Sequence, residues 1–420
     1  MLVVSDLSDP FCPWPSEDLV PPVGERRDAW DLFFELLPTL FPEPALGQPV
    51  PTAPHAFGPA VHSAYQALKP MGGKVLAFSY GRSTAGIGLL MPRDDPKSLG
   101  TAEEPKLRRP GAKSYRDLGE ACAEHHISVD YVVMSSDTVD LFTAAEVPRL
   151  TCGRVYNWPG FRPSWDGATL HALVMRMVTR ETAWEGIGRV RCSEGLSTKR
   201  HFGNIGQLRH GTDVRLPVLD SDTAFAVEFD YDGQLDARAY VQSAVLYTTS
   251  YGQRRIRVST TAVGVSTVAS TLFRSADCEA LLGFACRQAC TDLIQQRVSV
   301  IRDRLTMTCV DILAAYRKHC TSNPASGQLI LPETLKHMPI YTLSMLRGDA
   351  FTNEHVSADR RAAARIEINC MPASMSGIHW YPRLYGLHEL VGRTECGKPD
   401  ADGLCTMPPM LRLSMDTIEP

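Results

Sequence analysis

The residues best suited to chemistry in this 420-residue chain are arginines on a short alternating segment, Arg254-Arg255-Ile256-Arg257-Val258. A glycine-containing turn, Tyr251-Gly252, precedes them, and the alternation predicts a strand. If Ile256 and Val258 face a core, Arg255 and Arg257 share the opposite face about 7 Å apart. Two planar, permanently charged guanidinium forks at that spacing suit carboxylates, so acidic peptide groups are the expected ligand. The alternative is an ordinary solvated strand face, since most exposed charge merely solvates.

A rigid frame has to present such a strand, and the length suggests about three domains. Hydrophobic content of 44% with 21% charged residues is that of a folded protein, and a net charge of -4 argues against a nucleic-acid binder. The N-terminal stretch has no basic lead and carries Asp6 and Asp9, so it does not read as a signal peptide, and no run of about 18 apolar residues occurs. A cytosolic chain is expected. Twelve cysteines include no C-x2-C pair, and Cys286 and Cys290 fall at helical spacing, so buried reduced thiols are expected.

Residues 1–178 alternate aliphatic runs with helical patterns. Strands are expected at Leu2–Val4, Lys74–Phe78, Ile127–Met134 and Gly153–Tyr156, and helices at Ala29–Leu37, Phe57–Leu68, Tyr115–His125 and Thr138–Val147. Continuous apolar strands between helices imply a doubly wound parallel sheet. Its abrupt start suggests that earlier strands of the sheet are missing. Pro38–Pro59, with seven prolines, and Gly81–Pro110 are expected as surface loops.

Beyond about Thr179 the pattern changes to short strands, at Ile187–Cys192, Ala224–Phe229, Tyr240–Thr248 and Arg255–Thr260, which implies an antiparallel sandwich over 179–264. From Leu272 a three-and-four period returns, with further helices at Pro339–Leu346 and Ala358–Ile366, so 265–376 is expected to be helical. The Gly-, Pro- and Met-rich stretch 377–420 reads as the lead-in to another domain.

Catalytic motifs are missing. There is no phosphate-binding G-x-x-x-x-G-K-[ST], no G-x-G-x-x-G after a strand, no G-x-S-x-G, and His388-Glu389 lacks the second histidine of H-E-x-x-H. His125-His126 is read as a helix end, and Asp6 with Asp9 as structural capping. A binding protein, not an enzyme, is the expectation.

In order along the chain, MLVVSD at 1–6, FGPAVHSAYQALKPMGGKVLAF at 57–78, ISVDYVV at 127–133, GRVYNWPGF at 153–161, RVRCSEGLS at 189–197, DSDTAFAVEF at 220–229, AVLYTTSYGQRRIRV at 244–258, VDILAAYRKHC at 310–320 and YPRLYGLHEL at 381–390 resemble the cargo-adaptor subunit of the COPII vesicle coat, the Sec24 family. That resemblance implies a multidomain fold mixing α/β, all-β and all-α units. The partial von Willebrand A-like trunk is expected over 1–178, a β-sandwich over 179–264, a helical domain over 265–376 and the start of a gelsolin-like domain over 377–420. It also implies truncation at both ends, with a zinc-finger domain, and its zinc, outside this chain; no cofactor is expected within it.

The functional implications are a heterodimer with the Sec23 coat subunit and a pre-budding complex with a Sar-type GTPase. Peripheral association with endoplasmic reticulum membrane and COPII vesicles follows, with binding of sorting signals on the cytosolic tails of cargo and SNARE proteins. The family's cargo pocket uses arginines of the RRIRV strand, which carries the role to Arg254, Arg255 and Arg257. The closest alternative is the paralogous GTPase-activating subunit, whose catalytic arginine would fall at Arg347 or Arg360.

Overall fold

The computed structural model describes residues 4–41, 54–93, 96–98, 101–207, 213–321, 327–353 and 356–381, with backbone alone at 384–385 and 410–411. The first strand expected at Leu2–Val4, the histidine at 388 and most of 377–420 therefore lie outside the described residues, and Val4 itself is in no regular element.

The N-terminal unit opens with two helices, α1 (Ser16–Leu19) and α2 (Arg27–Leu40), the second running through Pro38 and burying no residue. Helix α3 (Phe57–Leu68) leads through the turn at Gly72 into β1 (Gly73–Ser79), and α4 (Glu104–Leu107) and α5 (Lys113–Glu124) lead into β2 (Ile127–Val133). Two short helices, α6 (Leu141–Ala144) and α7 (Glu146–Leu150), replace the single helix expected over Thr138–Val147, and β3 (Val155–Asn157) follows. Asp140 adopts a left-handed φ of +59°, which delays the start of α6, and Ala145 leaves helical ψ between the two. The expected loop over Gly81–Pro110 is accordingly interrupted by α4.

The sheet is parallel, in the order β1-β2-β3, with Gly73 opposite Ile127 and Tyr131 opposite Val155. Every residue of β2 is buried, as a central strand covered on both faces requires. Among the described residues β1 has no strand on its other side, so its edge is open. A groove of about 490 Å³ runs between that edge and α3.

A long helix, α8 (Pro163–Thr179), carries the chain into the second unit. There β4 (Thr182–Cys192), β5 (Leu196–Phe202), β6 (Gly206–Gln207), β7 (Asp213–Asp220), β8 (Ala226–Tyr231), β9 (Arg238–Thr249) and β10 (Arg254–Gly264) build a five-stranded antiparallel sheet, β10-β9-β4-β7-β6, and a separate β5-β8 ribbon. Salt bridges tie this unit to its neighbour: Arg154 and Arg180 meet Asp220 at 3.3 and 2.8 Å, and Arg176 meets Asp222.

The third unit packs α9 (Ala269–Arg274), α10 (Cys278–Asp292), α11 (Val298–Cys320), α12 (Met338–Arg347), α13 (Ala358–Cys370) and α14 (Ala373–Trp380) around Cys286, Cys290, Ile301, Leu335 and Phe351. Both cysteines are reduced and wholly buried. Helix α13 also faces the first unit, where Ala362 and Ile366 join the core of Val129, Tyr131 and Leu141.

Buried charge at this junction goes to helix ends. Arg108 donates to the carbonyls of Leu293 and Gln296 after α10 at 2.5 and 2.9 Å, and burial pulls its guanidinium down to about 10. Arg365 donates to Cys290, and Arg361 to Ala350 and Thr352. In the opposite sense, the Asp359 carboxylate accepts the Val139 and Leu141 amides, both at 2.6 Å, at the start of α6. Arg108 and Arg365 thus meet the carbonyl end of α10 and Asp359 meets the amide end of α6, as the helix dipoles favour, while Arg361 holds the turn after α12.

Candidate functional site

The arginine strand is β10, and it forms a hairpin with β9. The turn closes through Thr249 N–H to Gln253 O at 2.9 Å and Gly252 N–H to Thr249 O at 2.9 Å, with Gly252 at φ +76°. Eleven pairs follow in register, from Arg254 opposite Thr248 to Gly264 opposite Arg238. Among the described residues nothing pairs with the far edge of β10, and all eleven of its residues are exposed.

The register corrects one expectation. Ile256 and Val258 face no core: they are 67% and 53% exposed. Directly opposed residues share a face, so Arg255 lies with Tyr247, and Arg257 with Val245 and Gly188. Val245 packs on the small core of Ile205, Val214 and Leu216. The two arginines therefore extend the core-facing rows of the sheet to its rim, while the aliphatic residues take the outer face. The reversal has a simple cause, since an edge strand projecting past its covering layer has no buried side to select.

Arg255 and Arg257 still share one face, as the period of two requires. Arg255 donates to Gln253 Oε1 at 2.5 Å, and among the described residues neither arginine meets a carboxylate. Arg254 is different. It lies on the outer face with Thr248, and its Nη1 donates to Thr248 Oγ1 at 2.8 Å and to Glu185 through both the carbonyl at 3.1 Å and Oε2 at 3.2 Å. The structure thus brings Arg255 and Arg257 together and sends Arg254 to the other side.

Glu185 is the residue that sequence reasoning missed. It sits in β4 at φ +52°, where the β4–β9 register shifts between Trp184 and Ile187. Its place in the β4–β7 ladder is also vacant, between Trp184 opposite Val218 and Gly186 opposite Leu216. The residue across from it is Pro217, which has no N–H to donate. The signal was available: a strand glycine at 186 marks a bulge, and a strand proline marks a broken ladder.

His126, also at positive φ, adjoins this cluster from the first unit. Burial lowers its pKa; the Glu185 carboxylate opposes that shift, and Arg215 and Arg254 reinforce it. His125 terminates α5 as expected, with its ring nitrogen 2.9 Å from the Ala121 carbonyl. Asp6 closes a local turn by accepting the Ser8 and Asp9 amides. Among the described residues no group of three or more His, Cys, Asp or Glu could hold a metal ion.

Of the two arginines considered for a GTPase-activating role, Arg360 is bound to Asp349 at 2.9 and 3.1 Å, and Arg347 is exposed at the end of α12. No helix among the described residues is long and apolar enough to cross a membrane.

Comparison with known proteins covers nearly all of the chain. Three family models match in succession: the Sec23/Sec24 trunk domain at residues 1–178, the Sec23/Sec24 beta-sandwich domain at 183–266 and the Sec23/Sec24 helical domain at 277–377. The chain is 32% identical to protein transport protein SEC24 B of Arabidopsis thaliana across 93% of its own length and 35% of the relative's, and 32% identical to human Sec24C across 92% and 35%. It is also similar to the crystal structure of the human COPII-coat protein Sec24c, with a TM-score of 0.77 and 31% identity over 86% of this chain and 47% of that one. It spans little more than a third of the length of these curated relatives.

Proposed function

The chain belongs to the Sec23/Sec24 family of COPII coat proteins, and from that premise we propose that it works as a Sec24-type cargo adaptor, binding acidic sorting signals through Arg255 and Arg257. In this reading it pairs with a Sec23 subunit and joins a Sar-type GTPase at endoplasmic reticulum membrane. There it gathers cargo and SNARE tails into vesicles without catalysing a reaction. The Sec24 names of the relatives support the adaptor branch over the GTPase-activating one, and so does the engagement of Arg360 by Asp349.

One observation carries the site. Arg255 and Arg257 share the inner face of a hairpin strand, both exposed, with no carboxylate among the described residues taking up either charge. A structural pair would be matched, as Arg189 is by Asp213 on the same sheet. Arg254 belongs to the site only as a neighbour, because its guanidinium is already engaged.

The test is a titration of an acidic cytosolic-tail peptide against the chain and against Arg255→Ala/Arg257→Ala. Charge-assisted hydrogen bonds contribute about 1.5 to 3 kcal/mol each when shielded and less when exposed, so a loss of roughly ten- to a hundredfold is expected. Binding should also weaken as salt rises. Equal, salt-insensitive binding by both proteins would remove the site from this strand.

A further inference from the structure

The contacts of Glu185 reproduce, inside the chain, what an acidic ligand would do. Its Oε2 accepts from Thr248 Oγ1 at 3.1 Å and from Arg254 Nη1 at 3.2 Å, on the outer face of the hairpin. Two sequence features and one backbone feature put it there. Pro217 removes the ladder donor opposite it, Gly186 admits the bulge, and the left-handed backbone turns the side chain off the regular strand path. A left-handed position relieved by glycine or asparagine holds a glutamate instead.

The Arg254 and Glu185 side chains are 41% and 51% exposed, so the bridge is screened by solvent and contributes little to stability, and Glu185 can be neutralised without disturbing the sheet. By contrast, Asp220 and Arg180, a few residues away on the same sheet and its leading helix, are 8% and 10% exposed and serve as fixed structure.

We propose that Glu185 is a specificity-determining residue: an internal carboxylate that occupies Arg254 and confines recognition of acidic ligands to the Arg255–Arg257 face. The inference rests on the cargo-adaptor reading above. With Glu185 in place, a peptide carboxylate placed near the hairpin turn on the outer face meets a guanidinium already engaged and a like charge beside it, and gains nothing. With Glu185 neutralised, Arg254 becomes a third anchor, and peptides carrying an additional acidic residue at that end bind more tightly.

The experiment uses three fluorescent peptides, one with two acidic residues and two that carry a third acidic residue, at one end or the other. Each is titrated against the full chain, Glu185→Gln, Arg254→Ala and the double variant, with thermal melts to confirm folding. The wild type should bind the two- and three-acid peptides alike. Glu185→Gln should tighten one of the three-acid peptides by roughly fivefold, the size of an exposed ion pair, while leaving the two-acid peptide within twofold. Adding Arg254→Ala should abolish that gain, and Arg254→Ala alone should change nothing.

Unchanged affinities in Glu185→Gln, with two-acid binding intact, would overturn the role of Glu185 and leave the adaptor site standing. A several-fold loss of two-acid binding in Arg254→Ala alone would overturn it too, since Arg254 would then be reading ligand directly. Failure of all four proteins to bind any peptide would remove the adaptor reading and this inference with it.

Discussion

Asp359 joins the first unit to the helical unit through two buried hydrogen bonds, and its removal has a calculable effect. It is 6% exposed, and its two carboxylate oxygens accept the Val139 and Leu141 amides at 2.6 Å each, so neither amide has water to turn to when the carboxylate is lost. Hydrogen bonds to a charged partner contribute about 1.5 to 3 kcal/mol each, which puts Asp359→Ala at about 3 to 6 kcal/mol. At roughly 1.4 kcal/mol per decade, local opening should become two to four decades more frequent.

A chain of several units need not melt in one transition, so a readout local to the junction is preferred to a global one here. Hydrogen exchange followed by mass spectrometry is the right one. Peptides spanning 136–145 and 357–366 should exchange at least a hundredfold faster in Asp359→Ala, while the β9–β10 hairpin keeps its wild-type rate. Asp359→Asn should lie nearly as low, because an amide offers one acceptor where two donors converge. Acceleration below tenfold at both segments would show that the two amides find other partners, and would refute the assignment.

Other perturbations follow from the same geometry. His62, His126 and His201 all have imidazole pKa values lowered by burial, and burial alone would raise Glu146 but the bidentate Arg149 contact and the charge of Arg365 hold its carboxyl below its usual value. Groups whose folded-state pKa is depressed stabilise above their unfolded pKa and lose that contribution as pH falls, so the apparent Tm should drop steadily from pH 7 through 6 to 4; a Tm that rises on acidification would contradict the sign. Gly153→Ala places a Cβ 1.9 Å from the Val129 carbonyl oxygen, which no side-chain movement can relieve, and should cost about 1 to 3 kcal/mol or more, read as a Tm fall of several degrees with near-normal expression required for the comparison. Cys286 and Cys290 are wholly buried, with the first thiol pushed well above its ordinary value and the second to about 12, so Ellman's reagent should reach them only after denaturant is added; fast native-state labelling of either, located by peptide mapping, would show the core to be open.

The parts of the fold that were legible in the sequence are those where one physical signal dominates. Phe57–Leu68 is helical over the expected residues, and β1 and β2 run one residue beyond or short of expectation, because continuous apolar runs between helices leave little choice. Helix α8 escaped notice because Met177 is the one buried residue in its 17, so its apolar stripe is too faint to read; Pro163 at its first turn was the better signal. Strand β7 was hidden by Pro217, and β5 by Lys199, Arg200 and His201, which suit a two-stranded ribbon exposed on one face. At the site, the period of two placed Arg255 and Arg257 on one face, but which face that is depends on the sheet's covering layer, and no local pattern encodes it.

The same distinction explains why so arginine-rich a chain yields one candidate surface. A guanidinium cannot shed its charge, so each arginine must be matched by carbonyls, matched by a carboxylate or left to water. Arg108, Arg361 and Arg365 are buried and donate to backbone carbonyls, and Arg108 also lies 3.3 Å from the Glu104 carboxylate. Arg154, Arg176 and Arg180 converge on Asp220 and Asp222 and hold the first unit to the sheet. Arg255 and Arg257 belong to the third class, but a fixed register spaces them, and Gln253 orients one of them. Fixed spacing lowers the ordering cost that a ligand would otherwise meet, and that separates a recognition surface from a solvated one. Glu185 sharpens the distinction, since it moves Arg254 from the third class to the second and leaves a pair where the sequence shows three.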